Sequence, residues 1–161
     1  MNIRTLAVNG VLAALYIAIT MILQPIAFSN IQFRIPEMFN HLIVYNKKFF
    51  FGIVIGVFLS NLFFSPMVAY DLIFGVGQSI LALTITIIIG RFVHNIRARM
   101  AINTLVFTFT MFLIALELNI TAKAPFLITW AATAAGEFVV MAIGAPIIHA
   151  LNKRINFSKL I

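Results

Sequence analysis

Long apolar runs dominate this chain, and proline, glycine or a charged residue breaks them at intervals. They lack the strict alternation of a half-buried strand and approach the length of about 20 apolar residues that a membrane-spanning helix requires. The breaks predict helices at 5–23, 36–46, 48–64, 68–91, 100–118 and 125–151. The second is the shortest, with Gln24-Pro25 ending the first helix and Pro36 opening the second.

Composition agrees with the pattern. Of 161 residues, 63% are hydrophobic and only 9% charged, whereas a soluble domain carries about a quarter charged residues. The expected architecture is an all-α membrane protein of roughly six transmembrane helices, a single integral-membrane domain over residues 1–161 with no sizeable soluble part. The run after Arg4 is too long for a signal peptide, has no convincing small-residue cleavage site and is followed by further spans, so it reads as the first helix.

Charge placement predicts topology. Lys+Arg number 11 against 4 Asp+Glu, a formal net charge of +7, but the basic residues fall between apolar runs and not along one face, which argues against a nucleic-acid partner. With a cytoplasmic N-terminus, Arg4, Lys47, Lys48, Arg91, Arg97, Arg99, Lys153, Arg154 and Lys159 all lie inside, and only Arg34 and Lys123 lie outside. The positive-inside rule therefore predicts both termini cytoplasmic.

Candidate chemistry is sparse. There is no cysteine, no G-x-x-x-x-G-K-[ST] and no H-E-x-x-H, so the sequence offers no thiolate metal site, phosphate loop or zinc pair and implies no cofactor. His41, His94 and His149 are far apart and read as structural.

Ionisable groups inside a membrane domain are expensive unless paired or facing a cavity, so each acid calls for an account. Glu37, Asp71 and Glu117 fall near outer helix ends, and Glu137 lies about 12 residues into the last helix, near mid-bilayer. Arg34 and Glu37, beside Gln32 in NIQFRIPE, read as a local ion pair at the start of the second helix, as the wall of an outward pocket, or as both. Glu137 in TWAATAAGEF reads as a protonated structural acid or a ligand acceptor, and Trp130, seven residues earlier on the same face, as an interfacial belt residue or a stacking platform. Asn61, Tyr70, Asp71 and Gln78 flank SPMVAYDLIFGVGQS, where Asp71 also suits a helix start. In the first helix Gly10, Ala14 and Ala18 form a smooth stripe, suited to internal packing or to docking of another membrane helix.

Three stretches together, IQFRIPE, FLSNLFFSPMVAYDLIFG and WAATAAGEF followed by GAPIIHAL, resemble in order and spacing the QueT family, substrate-binding (S) components of energy-coupling factor (ECF) transporters. The resemblance implies a multi-pass S component of a bacterial cell membrane that performs no covalent chemistry. It captures a queuosine precursor, a deazaguanine base or its aminomethyl derivative, outside the cell and works with a transmembrane T subunit and two cytoplasmic ATPase subunits. It further implies that Ala14 and Ala18 contact the T subunit. A base of this kind presents N–H donors, a cationic amine and a flat ring. Glu37, Asp71 and Glu137 suit the acceptor roles, Gln32, Arg34 and Asn61 the carbonyl and ring-nitrogen roles, and Trp130 the stacking role. The competing expectations are an S component for another vitamin-like compound, a stand-alone carrier using Glu137 as a proton site, and, least favoured, an enzyme with Glu37 and Asp71 as acid and base.

Overall fold

The computed structural model describes residues 2–29 and 31–161; Asn30 of the NIQFRIPE stretch lies outside them. Its helices are α1 (Ile3–Ile22), the short α2 (Gln24–Ala27), a 3-10 helix (Ile35–Val44), a 3-10 turn (Lys47–Phe49), α3 (Phe50–Phe64), α4 (Val68–Ile89), α5 (Ile96–Thr110), α6 (Phe112–Ala122), α7 (Phe126–Ile155) and α8 (Phe157–Leu160). Five segments are long and apolar enough to cross a membrane: Ile3–Ile22, Lys47–Phe64, Val68–Ile89, Ile96–Ala122 and Phe126–Ile155. The sixth expected helix is the 3-10 segment.

Amphipathicity runs inside out, as befits a chain dissolved in lipid. Thr5, Asn9, Tyr16 and Thr20 are buried on the inner face of α1, while Ile3, Leu6, Val11, Leu15 and Ile22 are exposed. Lipid satisfies apolar side chains as well as a core does, so polar groups turn inward to find partners. Close backbone approach joins α1 to α3: a Cβ at Gly52 would stand 2.6 Å from Asn9 Oδ1, and one at Gly56 would stand 2.8 Å from Tyr16 Cβ. The same contact lets the Gly52 N–H donate to Asn9 Oδ1 at 2.7 Å.

The 3-10 helix replaces the α-helix expected over 36–46. Its ten residues extend about 20 Å at about 2.0 Å per residue, against about 15 Å for the same residues in an α-helix. A 3-10 run of this length needs side-chain support. The Asn40 amide donates to Glu37 Oε2. His41 Nε2 donates to the Met141 carbonyl at 2.8 Å, which leaves Nδ1 to accept from the Asn103 amide at 3.3 Å. Gly144 admits the segment against α7, since a Cβ there would lie 2.5 Å from Met38 Cβ. His41 thus ties the 3-10 helix to α7 and α5.

The helix expected over 100–118 is longer and broken. Asn95 caps α5 by accepting from the Arg97 and Ala98 N–H groups, and α6 continues to Ala122, ending at Lys123 in the left-handed conformation. Near the break at Met111, the Thr110 hydroxyl donates to the Phe107 carbonyl at 3.0 Å, a back-bond of the kind that bends helices. The last helix likewise runs on past 151, to Ile155.

One end of the bundle gathers the basic residues. The Asn46 amide donates to the Ile161 carbonyl at 2.7 Å, and Phe157 packs on Tyr45 and Phe49 at ring-centroid distances of 5.9 and 6.1 Å. Arg91 and Arg99 line one cavity with Tyr45, Asn46 and Lys47. The opposite end carries residues 23–29 and 31–34, the turn at 65–67 and the turn at 123–125.

Candidate functional site

All four acids of the chain are buried: Glu37 and Asp71 are 2% exposed, Glu117 and Glu137 1%. Among the described residues the only buried cation is Arg34. The expected ion pair between Arg34 and Glu37 is not formed. Arg34 Nη2 instead donates to Asp71 Oδ1 at 3.0 Å. The reason is local geometry: the chain turns through Gln32 in a left-handed conformation, φ 55°, which carries Arg34 across to α4 while Glu37 follows the 3-10 helix. Such a conformation is strained for a residue with a Cβ and persists only where its surroundings enforce it.

Asp71 is fully engaged. Ser65 donates to its Oδ2, and the Asn61 amide donates to its backbone carbonyl at 3.0 Å. Gly75, one turn along α4, makes the room, since a Cβ there would lie 2.8 Å from Asn61 Nδ2 and 3.4 Å from Arg34 Nη1. Burial works against the Arg34 charge, but Asp71 and then Glu37 outweigh it, and its pKa is raised from the ordinary value. The guanidinium also stands over the Phe28 ring, 5.1 Å from its centroid.

Glu37 is also engaged, by partners not foreseen. Tyr16 on α1 donates to Oε1 at 2.7 Å, and Asn40 donates to Oε2. Tyr16 was legible as part of an inward polar stripe with Asn9 and Thr20 on an otherwise apolar helix. Asn40 follows Glu37 at the three-residue spacing that makes helical neighbours.

Other polar atoms in the same region have no partner. Gln32 Oε1, Arg34 Nε, Asn40 Oδ1, Ser60 Oγ, Glu137 Oε1 and both carboxylate oxygens of Glu117 are buried without a hydrogen bond. Buried polar groups are nearly always paired with protein, water or ligand, and these unpartnered atoms make the region around Arg34 the candidate binding site. Gly136 admits Ile31 onto α7 next to Glu137, since a Cβ there would clash with the Ile31 carbonyl oxygen. Glu117 has the charge and burial of a site residue but was singled out only as an acid near an outer helix end. No local motif surrounds it; the scarcity of acids was its signal.

Three expected site residues lie apart from this network. Tyr70 is 44% exposed; it sits about 100° round α4 from Asp71, which turns it outward. Gln78 is buried, and its amide donates to Thr110 Oγ1 at 3.0 Å, tying α4 to α5. Trp130 donates to the Phe109 carbonyl at 3.2 Å and packs among Phe109, Phe112 and Phe126 with centroids 5.5 to 6.4 Å away. The acids and amides of the expected outward pocket are buried, and Ile31 packs on α7 at Gly136.

Gly10, Ala14 and Ala18 are all exposed, and nothing lies within 4 Å of a Cβ built at Gly10. The stripe is therefore not used for packing within the bundle.

The multi-pass bundle buries unpartnered polar atoms between its helices, an arrangement suited to a membrane transporter, and the family match gives that class. Residues 6–153 match the family model described as QueT transporter. The chain is 35% identical over 159 residues, covering 93% of each sequence, to the "Queuosine precursor transporter QueT" of Lactococcus lactis subsp. cremoris (strain MG1363). It belongs to the QueT transporter family. No solved structure matches it.

Proposed function

We propose that the chain is the substrate-capture subunit of an ECF importer and binds a queuosine precursor, a deazaguanine base bearing an aminomethyl group, from outside the cell. The observation that carries this reading is the charge balance of the buried site. Four acids face one buried cation, and burying uncompensated carboxylates is prohibitive unless they are protonated or neutralised by a partner. A cationic, donor-rich base supplies one further positive charge and N–H groups for the orphan oxygens, and the acids still uncompensated are held protonated. The relative's printed name agrees in substrate.

In this reading the Arg34–Asp71 and Glu37–Tyr16–Asn40 groups are the rigid wall, and Gln32, Glu117 and Glu137 present free acceptors to the ligand. Trp130 holds α5, α6 and α7 together through its three phenylalanine neighbours. The basic end of the bundle faces the cytoplasm, with both termini there, and the site lies toward the outside.

The exposed Gly10, Ala14 and Ala18 stripe supports a second part of the proposal. It is the face that a transmembrane T subunit grips, and two cytoplasmic ATPases then drive release of the base inside. A chain with no phosphate-binding loop needs such partners for ATP-driven uptake.

Reconstitution separates this from a proton-coupled carrier. Proteoliposomes holding the chain alone should bind base but accumulate none under a pH gradient, and adding T subunit, ATPases and ATP should start uptake. Accumulation by the chain alone would overturn the proposal.

A further inference from the structure

The four buried acids are not equivalent. Asp71 accepts from Arg34 and Ser65, and Glu37 accepts from Tyr16 and Asn40. Every carboxylate oxygen of these two acids already has a protein donor. Glu117 is likewise only 1% exposed, yet neither of its oxygens has a donor. Glu137 Oε1 is also orphaned.

The surroundings of these two unsaturated acids differ. Glu137 follows Gly136, against which the Ile31 carbonyl packs, and Gln32, with an orphaned amide oxygen, is the next residue of that turn. An amide oxygen beside a carboxylate suits the row of N–H donors on the edge of a planar base. Glu117 lies on α6, where the charges whose fields reach it are Asp71 and Arg34.

Depth separates them as well. Glu117 lies five residues before the end of α6 at Ala122, and Glu137 lies eleven residues after the start of α7 at Phe126. In this antiparallel pair they are staggered by about 9 Å along the bundle, at about 1.5 Å per residue. A ligand reaching both must be elongated, with donors at each end.

On the reading of the site given above, we propose that Glu117 is the specificity-determining residue for the ligand's amine. Its bare carboxylate accepts from the pendant ammonium, while Glu137 and Gln32 take the edge of the ring. An ammonium has three donors and one positive charge, and so satisfies a carboxylate that no protein group serves. A neutral substituent at that position leaves Glu117 unsatisfied.

The test is equilibrium binding to the purified full-length chain in lipid nanodiscs, with two probes. One is the aminomethyl-deazaguanine base; the other is the same base with the amine replaced by a nitrile. Wild type should prefer the amine by at least about 10-fold, the scale of a charge-assisted hydrogen bond. Glu117→Gln should erase that preference by weakening the amine about 10- to 100-fold while moving the nitrile less than about 3-fold. Glu117→Asp, which retains the charge, should restore part of the preference.

Equal loss of both probes in Glu117→Gln, or no loss of the amine, would overturn the assignment while leaving a base-binding site standing. Should Glu117→Gln fail to fold, the wild-type preference decides: equal affinity for the two probes rejects the role of Glu117. Binding of neither probe by folded wild type would overturn the functional reading itself, and this inference with it.

Discussion

Gly136→Ala tests the wall of the site by a single methyl group. The added carbon would stand 2.3 Å from the Ile31 carbonyl oxygen and 2.9 Å from Ile31 Cγ2. A carbon ordinarily approaches a carbonyl oxygen no closer than about 3.3 Å, so the turn must retreat by about 1 Å. Overpacking of this kind typically costs about 1–3 kcal/mol. The displacement cannot stay at Ile31, because the turn is internally tied: the Arg34 N–H donates to the Gln32 carbonyl at 2.8 Å and the Glu37 N–H to the Arg34 carbonyl at 2.8 Å. Gln32 and Arg34 therefore move with it. Titration calorimetry should show affinity for the aminomethyl-deazaguanine base falling by about 10-fold or more, equivalent to about 1.4 kcal/mol. Gly77→Ala is the control, since no atom lies within 4 Å of a Cβ there, and it should bind as wild type. Wild-type affinity in a folded Gly136→Ala chain would refute the placement of this turn in the site.

Asp71→Asn removes the partner of a buried guanidinium and should lower stability by about 3–5 kcal/mol, read as a large drop in detergent-phase melting temperature; an unchanged melting point would remove the pair from the scaffold. Tyr16→Phe deprives Glu37 of the donor at 2.7 Å and should destabilise by about 1.5–3 kcal/mol, with weaker base binding. Ala14→Leu combined with Ala18→Leu should leave binding by the isolated chain intact yet abolish co-purification with the T subunit; retained assembly would place the docking face elsewhere.

Apolar run length and the placement of Lys and Arg made the long spans legible, because lipid imposes both directly. The 3-10 helix was not legible as such. Ile35–Val44 carries a helix-like sequence, and its extension depends on Met141, Asn103 and Gly144, which are distant along the chain. The break at Met111 likewise falls within an apolar run that carries no proline or glycine to mark it.

At the site, scarcity alone identified Glu37, Asp71 and Glu137 as residues needing an explanation, and all are buried. Pairing was harder to read. Arg34 and Glu37 have the spacing of a helical ion pair, but the left-handed turn at Gln32 sends the guanidinium to Asp71. Tyr70 is adjacent to Asp71 in sequence, but a step of about 100° round the helix turns it outward while Asp71 is buried. Gly10, Ala14 and Ala18 could be read as a smooth stripe, and only the packed bundle shows that the stripe faces outward.

Equilibrium binding of the aminomethyl-deazaguanine base to the purified chain, with guanine and riboflavin as controls, tests the central claim most directly. The account predicts tight binding of that base, selective over both controls, and weakened in Glu137→Gln. Failure of folded wild-type chain to bind it, or tighter binding of riboflavin, would contradict the account.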